Sequence, residues 1–247
     1  MSKRVFALIA CAVLLCSSLV LAGPTKQKQE KPWTEWTQKE AEKVLSSSPW
    51  AQTQVDTDTS EMFFSPTSDP NRVRSTANDG SRLEGGARNQ AVNVKFIVRF
   101  FSARPVRRAL VRMMELKQKP DAQMTERLHA FADLKTNESI ILTLSVETTD
   151  QRYAGIAMQA LNSATTATLK NETFLERDGK RVFLHEYIPP GKDGFGARFI
   201  FLRFVDEQPF IKDKIGEVRF STKYPGGLKV DRRFKVTEMT LDGELEY

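Results

Sequence analysis

Residues 92–120 read VNVKFIVRFFSARPVRRALVRMMELKQKP. Val94, Phe96, Val98 and Phe100 alternate with Lys95, Ile97, Arg99 and Phe101, the period-2 pattern of a strand. The period then changes. Pro105 suits the first turn of a helix that starts at Ser102 or Ala103, and Val106, Ala109, Leu110 and Met113 recur at helical spacing. Pro120 ends it. One strand running directly into one amphipathic helix sets the start of the core domain near Val92.

Downstream, Asp121 caps a second helix with Met124, Leu128, Phe131 and Leu134 facing inward. Ser139–Glu147 is rich in β-branched residues and reads as a strand. Asp150 caps a third helix whose Ile156, Ala157, Ala160, Leu161 and Ala164 keep helical spacing. The chain then turns to β. Residues 166–177 and 180–188 flank Asp178-Gly179, a two-residue hairpin signal. FGARFIFLRFV, 195–205, has the apolar content of a central strand, and 217–224 and 229–241 supply two more, with a last tight turn at Asp242-Gly243. The order β-α-α-β-α-β-β-β-β-β, preceded by a short N-terminal helix, predicts an α+β fold: a largely antiparallel sheet with helices on one face.

Upstream, KPWTEWTQKEAEKVLSSSPWAQ, 31–52, holds all three tryptophans. Thr37-Gln38-Lys39-Glu40 fits a capping box. Ala41, Val44, Leu45 and Ser48 form one face, and Pro49 stops the helix. A helix of about ten residues is too short to stand alone in water, so Trp33, Trp36 and Trp50 are expected as its docking anchors. An exposed aromatic platform and a helix that docks on another chain are the competing readings.

Trp33, Trp36, Ala41, Ser48, Pro49, Trp50 and Ala51, with RFFSARPVR at 99–107, resemble the corresponding segments of a group of exported bacterial proteins of unknown function. That resemblance implies an envelope setting and carries no activity with it.

The N-terminus points the same way. Lys3 and Arg4 precede an apolar run to Leu21, and Val20-Leu21-Ala22 offers a signal-peptidase site after Ala22. The expected organisation is a signal peptide at 1–22, the tryptophan-bearing segment at 23–51, a flexible linker at 52–91 and an α+β core at 92–247. Export would leave the protein in the periplasm or outside the cell, with no membrane span after cleavage. An uncleaved anchor is the alternative that the length of the run allows. A lipid-bearing Cys11 fits less well, because apolar sequence continues beyond it. Both cysteines, Cys11 and Cys16, lie in the signal, so the mature chain has no disulfide and no thiolate ligand.

The formal net charge is +6, and +4 without Lys3 and Arg4. Residues 92–119 carry eight basic side chains and one acid, so the rest of the mature chain is net −3. Arg104, Arg107, Arg108 and Arg112 follow helical spacing opposite the apolar stripe. They are the candidates for contact with an anionic partner: lipid head groups, acidic envelope polymers or, least favoured, nucleic acid. A solvated basic face is the plainer reading.

Catalytic motifs do not emerge. His129 and His185 fall on different elements, and neither has metal-ligand spacing. HExxH, GxSxG and Walker patterns are missing. Gly191–Gly196 is followed by a strand, not by the helix that a phosphate cradle needs. Asp56–Ser60 begins like a calcium loop but has Glu61 and Thr67 where Gly and Glu are required. Glu176 and Arg181, and Glu172 and His185, are expected as cross-strand pairs. No cofactor or metal is called for. The reading is an exported, non-catalytic binding or structural protein of the bacterial envelope, its partner an envelope protein or an anionic envelope component. The alternatives are a small apolar ligand carrier with a pocket near Phe199, Phe201 or Phe204, and an Asp/Glu-dependent hydrolase.

Overall fold

A computed structural model describes residues 31–58, 92–135, 138–148 and 151–247. The expected signal peptide, residues 59–91 of the expected linker and the Asp150 cap lie outside them. Within the described residues the fold is α+β, and the strand pairing is antiparallel.

The short helix α1 (Gln38–Ser46) opens with the expected capping box: Thr37 Oγ1 accepts from Glu40 N at 3.3 Å, and Glu40 Oε2 accepts from Thr37 N at 2.7 Å. It leads directly into strand β1 (Ala51–Asp58), which pairs with β2 (Val92–Phe100) in register Ala51↔Arg99 to Asp58↔Val92. The expected linker therefore begins too early. Residues 52–58 are an edge strand whose polar side chains suit its half-solvated position.

Helix α2 (Arg104–Gln118) and α3 (Ala122–Asp133) follow, then β3 (Ser139–Thr148), α4 (Gln151–Ser163) and a one-turn α5 (Thr166–Leu169). Asp121 caps α3 as expected, accepting from Met124 N at 2.8 Å. Met124, Leu134 and Ile156 are exposed, however, because α3 and α4 each bury one narrow strip: Ala132 on α3, and Ala154, Ala157 and Leu161 on α4. Residues 166–169 are also helical rather than extended. Thr165 and Thr168 form a reciprocal cap there, which diverts the backbone from a ladder.

The remaining strands are β4 (Phe174–Arg177), β5 (Lys180–Phe183), β6 (Glu186–Ile188), β7 (Ala197–Leu202), the small pair β8 (Phe204–Val205) and β9 (Gln208–Pro209), β10 (Glu217–Lys223), β11 (Lys229–Lys235) and the closing pair β12 (Thr240–Leu241) and β13 (Glu244–Leu245). The turns at Asp178-Gly179 and Asp242-Gly243 have both residues at positive φ, as a tight hairpin requires.

The strands divide into two main sheets, β1-β2-β3-β7-β6 and β11-β10-β4-β5. Their inner faces meet ring against ring: Phe199 lies 5.1 Å from Phe220, Phe201 6.3 Å from Phe220, and Phe100 4.8 Å from Phe234, all near edge-to-face. Ala157, Leu161 and Ala164 join this core from α4 and its end. The opposite face of the first sheet carries α1, because Arg99 Nε donates to Leu45 O at 2.5 Å. Helices thus serve both faces of the first sheet, and the second sheet shares the inner one. Two seams join the sheets. Gln54 of β1 bonds to Lys229 O and Asp231 N of β11, and His185 N, just after β5, donates to Ile200 O of β7. Trp33–Tyr247 forms one compact unit, so the tryptophan-bearing segment belongs with the core.

Candidate functional site

The three tryptophans dock on their own chain. Trp50 joins both core clusters, and its Nε1 donates to Glu246 O at 2.7 Å. Trp36 packs on the cluster of Ala41, Leu45, Val106 and Ala109 between α1 and α2, while its carbonyl accepts from Arg112. The Trp33 ring meets the His129 ring of α3 edge-on at 4.7 Å.

The four arginines of α2 are equally occupied. Arg104 pairs with Glu246 at 2.9 Å, and that contact raises its pKa. Arg107 is 1% exposed. Its guanidinium donates to the carbonyls of Phe131 and Phe101 at 3.2 and 3.3 Å, and to those of Ser102 and Leu134. Burial lowers its pKa. Arg108 meets Asp133 at 2.7 Å. Arg112 spans Trp36 O at 2.7 Å and Glu115 at 3.1 Å. The helix is thus covered on two sides, by α1 and by α3. Its arginines hold chain turns and helix ends rather than forming one open basic stripe.

The remaining chemical candidates stay apart. His129 Nε2 meets Glu115 at 2.6 Å, and His185 is exposed at the β5–β6 corner. Glu176 pairs with Arg181 at 2.6 Å as expected. Glu172 falls outside the ladder, which stops at Phe174↔Phe183. Gly191–Gly196 connects β6 to β7. Of the residues expected near a carrier's pocket, Phe199 and Phe201 are fully buried against Phe220, and Phe204 on β8 is exposed. No group of three or more His, Cys, Asp or Glu able to hold a metal ion occurs among the described residues.

An open charged surface lies instead on the outer face of β11-β10-β4-β5. Alternation puts Val218, Phe220, Val230 and Phe234 in the core, so their neighbours face out. One cross-strand row reads Arg233, Arg219, Glu176, Arg181 and the next reads Asp231, Ser221, Phe174, Phe183. Lys229 and Lys223 pair beyond them at one end, Lys235 and Glu217 at the other. Six cations stand against three acids. Arg219 is tied to Asp231 at 2.5 Å, which raises its pKa and lowers that of Asp231. The pairs of Lys229, Arg233 and Lys235 are looser, at 3.7, 3.6 and 3.5 Å. Exposed pairs of this kind hold little energy and leave the cations free to meet another charge. The Arg181 guanidinium lies 4.2 Å from the centre of the Phe174 ring, and Phe183 beside it is 47% exposed.

The sequence contains this face as the alternation Lys229, Asp231, Arg233, Lys235. Reading a cation-rich strand edge as a surface needs the lateral order of the strands, which alternation does not supply. Compared with family models, curated proteins and solved structures, the chain matches none.

Proposed function

We propose that the protein is an exported, non-catalytic binding or structural protein of the bacterial envelope, meeting anionic partners through the outer face of β11-β10-β4-β5. Export rests on the positive, apolar and small-residue regions of residues 1–22. The resemblance of the tryptophan-bearing segment to exported bacterial proteins supports the same setting.

The observation that carries the binding role is the cation excess of this open face. The basic helix, the first candidate from sequence, has its four arginines in internal contacts, so the role passes to side chains that are free to move. Among the described residues no helix is long and apolar enough to cross a membrane, and the proposal assigns none.

The test has two parts. Cell fractionation followed by N-terminal sequencing should recover a chain beginning at Gly23; a chain retained uncleaved in the cytoplasm would overturn export. The purified protein should sediment with bacterial envelope fractions at low salt and be released at high salt. The combination K229E/R233E/K235E, folded by circular dichroism, should lose that binding, and Arg108→Glu should keep it. Binding indifferent to the triple change would remove this face from the proposal.

A further inference from the structure

We infer that the same sheet face docks on an anionic phospholipid surface, with Phe183 entering the headgroup layer. This rests on the reading that the face is the binding surface, and it names the partner.

The placement of the aromatics favours a lipid surface over a soluble polymer chain. Phe174 and Phe183 stand 6.0 Å apart on β4 and the edge strand β5, in a row with Ser221 and Asp231; the row on one side holds Arg233, Arg219 and Arg181 with Glu176 among them, and Lys223 and Lys229 lie on the other side, on β10 and β11. An exposed ring flanked by cations fits a bilayer interface, where the ring settles at headgroup depth and the cations meet phosphates. Lys and Arg stems are long enough to lie along the face while their heads reach the lipid.

The charge complementarity has a magnitude. Each Lys or Arg near an anionic leaflet contributes about 1 kcal/mol, about a fivefold change in partition, so removing three weakens it about 100-fold.

The experiment is sedimentation of the purified protein with vesicles of phosphatidylcholine and phosphatidylglycerol in equal parts, and with phosphatidylcholine alone. Binding to the first at low salt, release at high salt and no binding to the second are expected. K229Q/R233Q/K235Q should lose binding about 100-fold, and Phe183→Ser several-fold, each folded by circular dichroism. No binding to the anionic vesicles, with face-dependent binding to envelope fractions intact, would overturn the lipid assignment and leave the proposed function standing. Loss of face-dependence in both assays would overturn both. Soluble alginate or single-stranded DNA that binds through the face and displaces the protein from vesicles at equal charge would make the face a polyanion site and overturn the lipid assignment.

Discussion

Glu246 caps a helix that begins 142 residues before it: its carboxylate accepts from the main-chain N–H of Arg104 at 2.9 Å and from the Arg104 guanidinium at 2.9 Å. Ala103, the residue at the cap position of α2, offers no side-chain acceptor. The start of α2 therefore has unsatisfied N–H groups and a positive dipole end, and a carboxylate from the closing strands answers both. Glu246 O also accepts from Trp50, so one residue joins the tryptophan-bearing segment, α2 and the last strands. Glu246→Gln keeps an acceptor but removes the charge, and should cost about 1 kcal/mol. Glu246→Ala should cost about 2 kcal/mol, because Arg104 then loses its partner. Urea midpoints of the two variants check the order.

Arg107 gives the sharpest contrast within the basic helix. Phe131 and Leu134 lie at the C-terminal end of α3, where Phe131 O also accepts the cap N–H of Leu134 at 3.4 Å, and Phe101 and Ser102 form the turn before α2. One planar guanidinium serves both places. Arg107→Met should cost about 3 kcal/mol, since buried carbonyls lose their donor. Arg107→Lys should recover only part of this, because an ammonium cannot reach that fork of acceptors. Arg108→Met, which removes one contact to the exposed Asp133, should cost under about 1 kcal/mol. Equal costs at 107 and 108 would contradict the buried clamp.

These arginines mark where the sequence stops being legible. Helical spacing identifies α2 and its apolar stripe, but the acceptors of Arg107 arrive from turns on either side of two helices, and no periodicity encodes that. Strand β1 is hidden for a related reason: AQTQVDTD is polar because it is an edge, and it resembles loop composition. Where a local rule decides the backbone, the sequence suffices. The capping box at Thr37 and the positive-φ turns at Asp178-Gly179 and Asp242-Gly243 are set within four residues. The charged sheet face falls between these cases. Its alternation is local, while the lateral order that gathers Arg181, Arg219 and Arg233 is not.

Gly196 adopts φ +83°, and a Cβ there would lie 2.2 Å from Leu144 O, a backbone atom of the neighbouring strand. Ala197 pairs with Leu144 at the next position, so the ladder cannot retreat. Gly196→Ala should cost about 3 kcal/mol from strained backbone and overlap together. Gly194 has φ +76° with open space around its Cβ position, and Gly194→Ala should cost about 1 kcal/mol. Thermal melts of the two variants separate overlap from strain, and similar losses would deny the close approach.

Tyr187 should make the fold sensitive to alkali. Its hydroxyl donates to Leu161 O at 2.6 Å in the core, and burial pushes its pKa up to about 12, offset slightly by the neighbouring Tyr224 hydroxyl. Burial pushes Tyr224 well above its ordinary value as well. In the unfolded chain a tyrosine ionises near pH 10. The folded protein holds the neutral phenol to higher pH, so the unfolded state releases its protons first. Stability contributed by this difference is complete below about pH 10 and is lost as the pH rises towards about 12. Tyr187→Phe removes one ionising group and should flatten the alkaline loss. At neutral pH it should cost about 1 kcal/mol for the missing hydrogen bond to Leu161. Urea midpoints measured from neutral to alkaline pH test both statements. A variant with the same alkaline slope as the parent would show that the Tyr187 phenol does not control it.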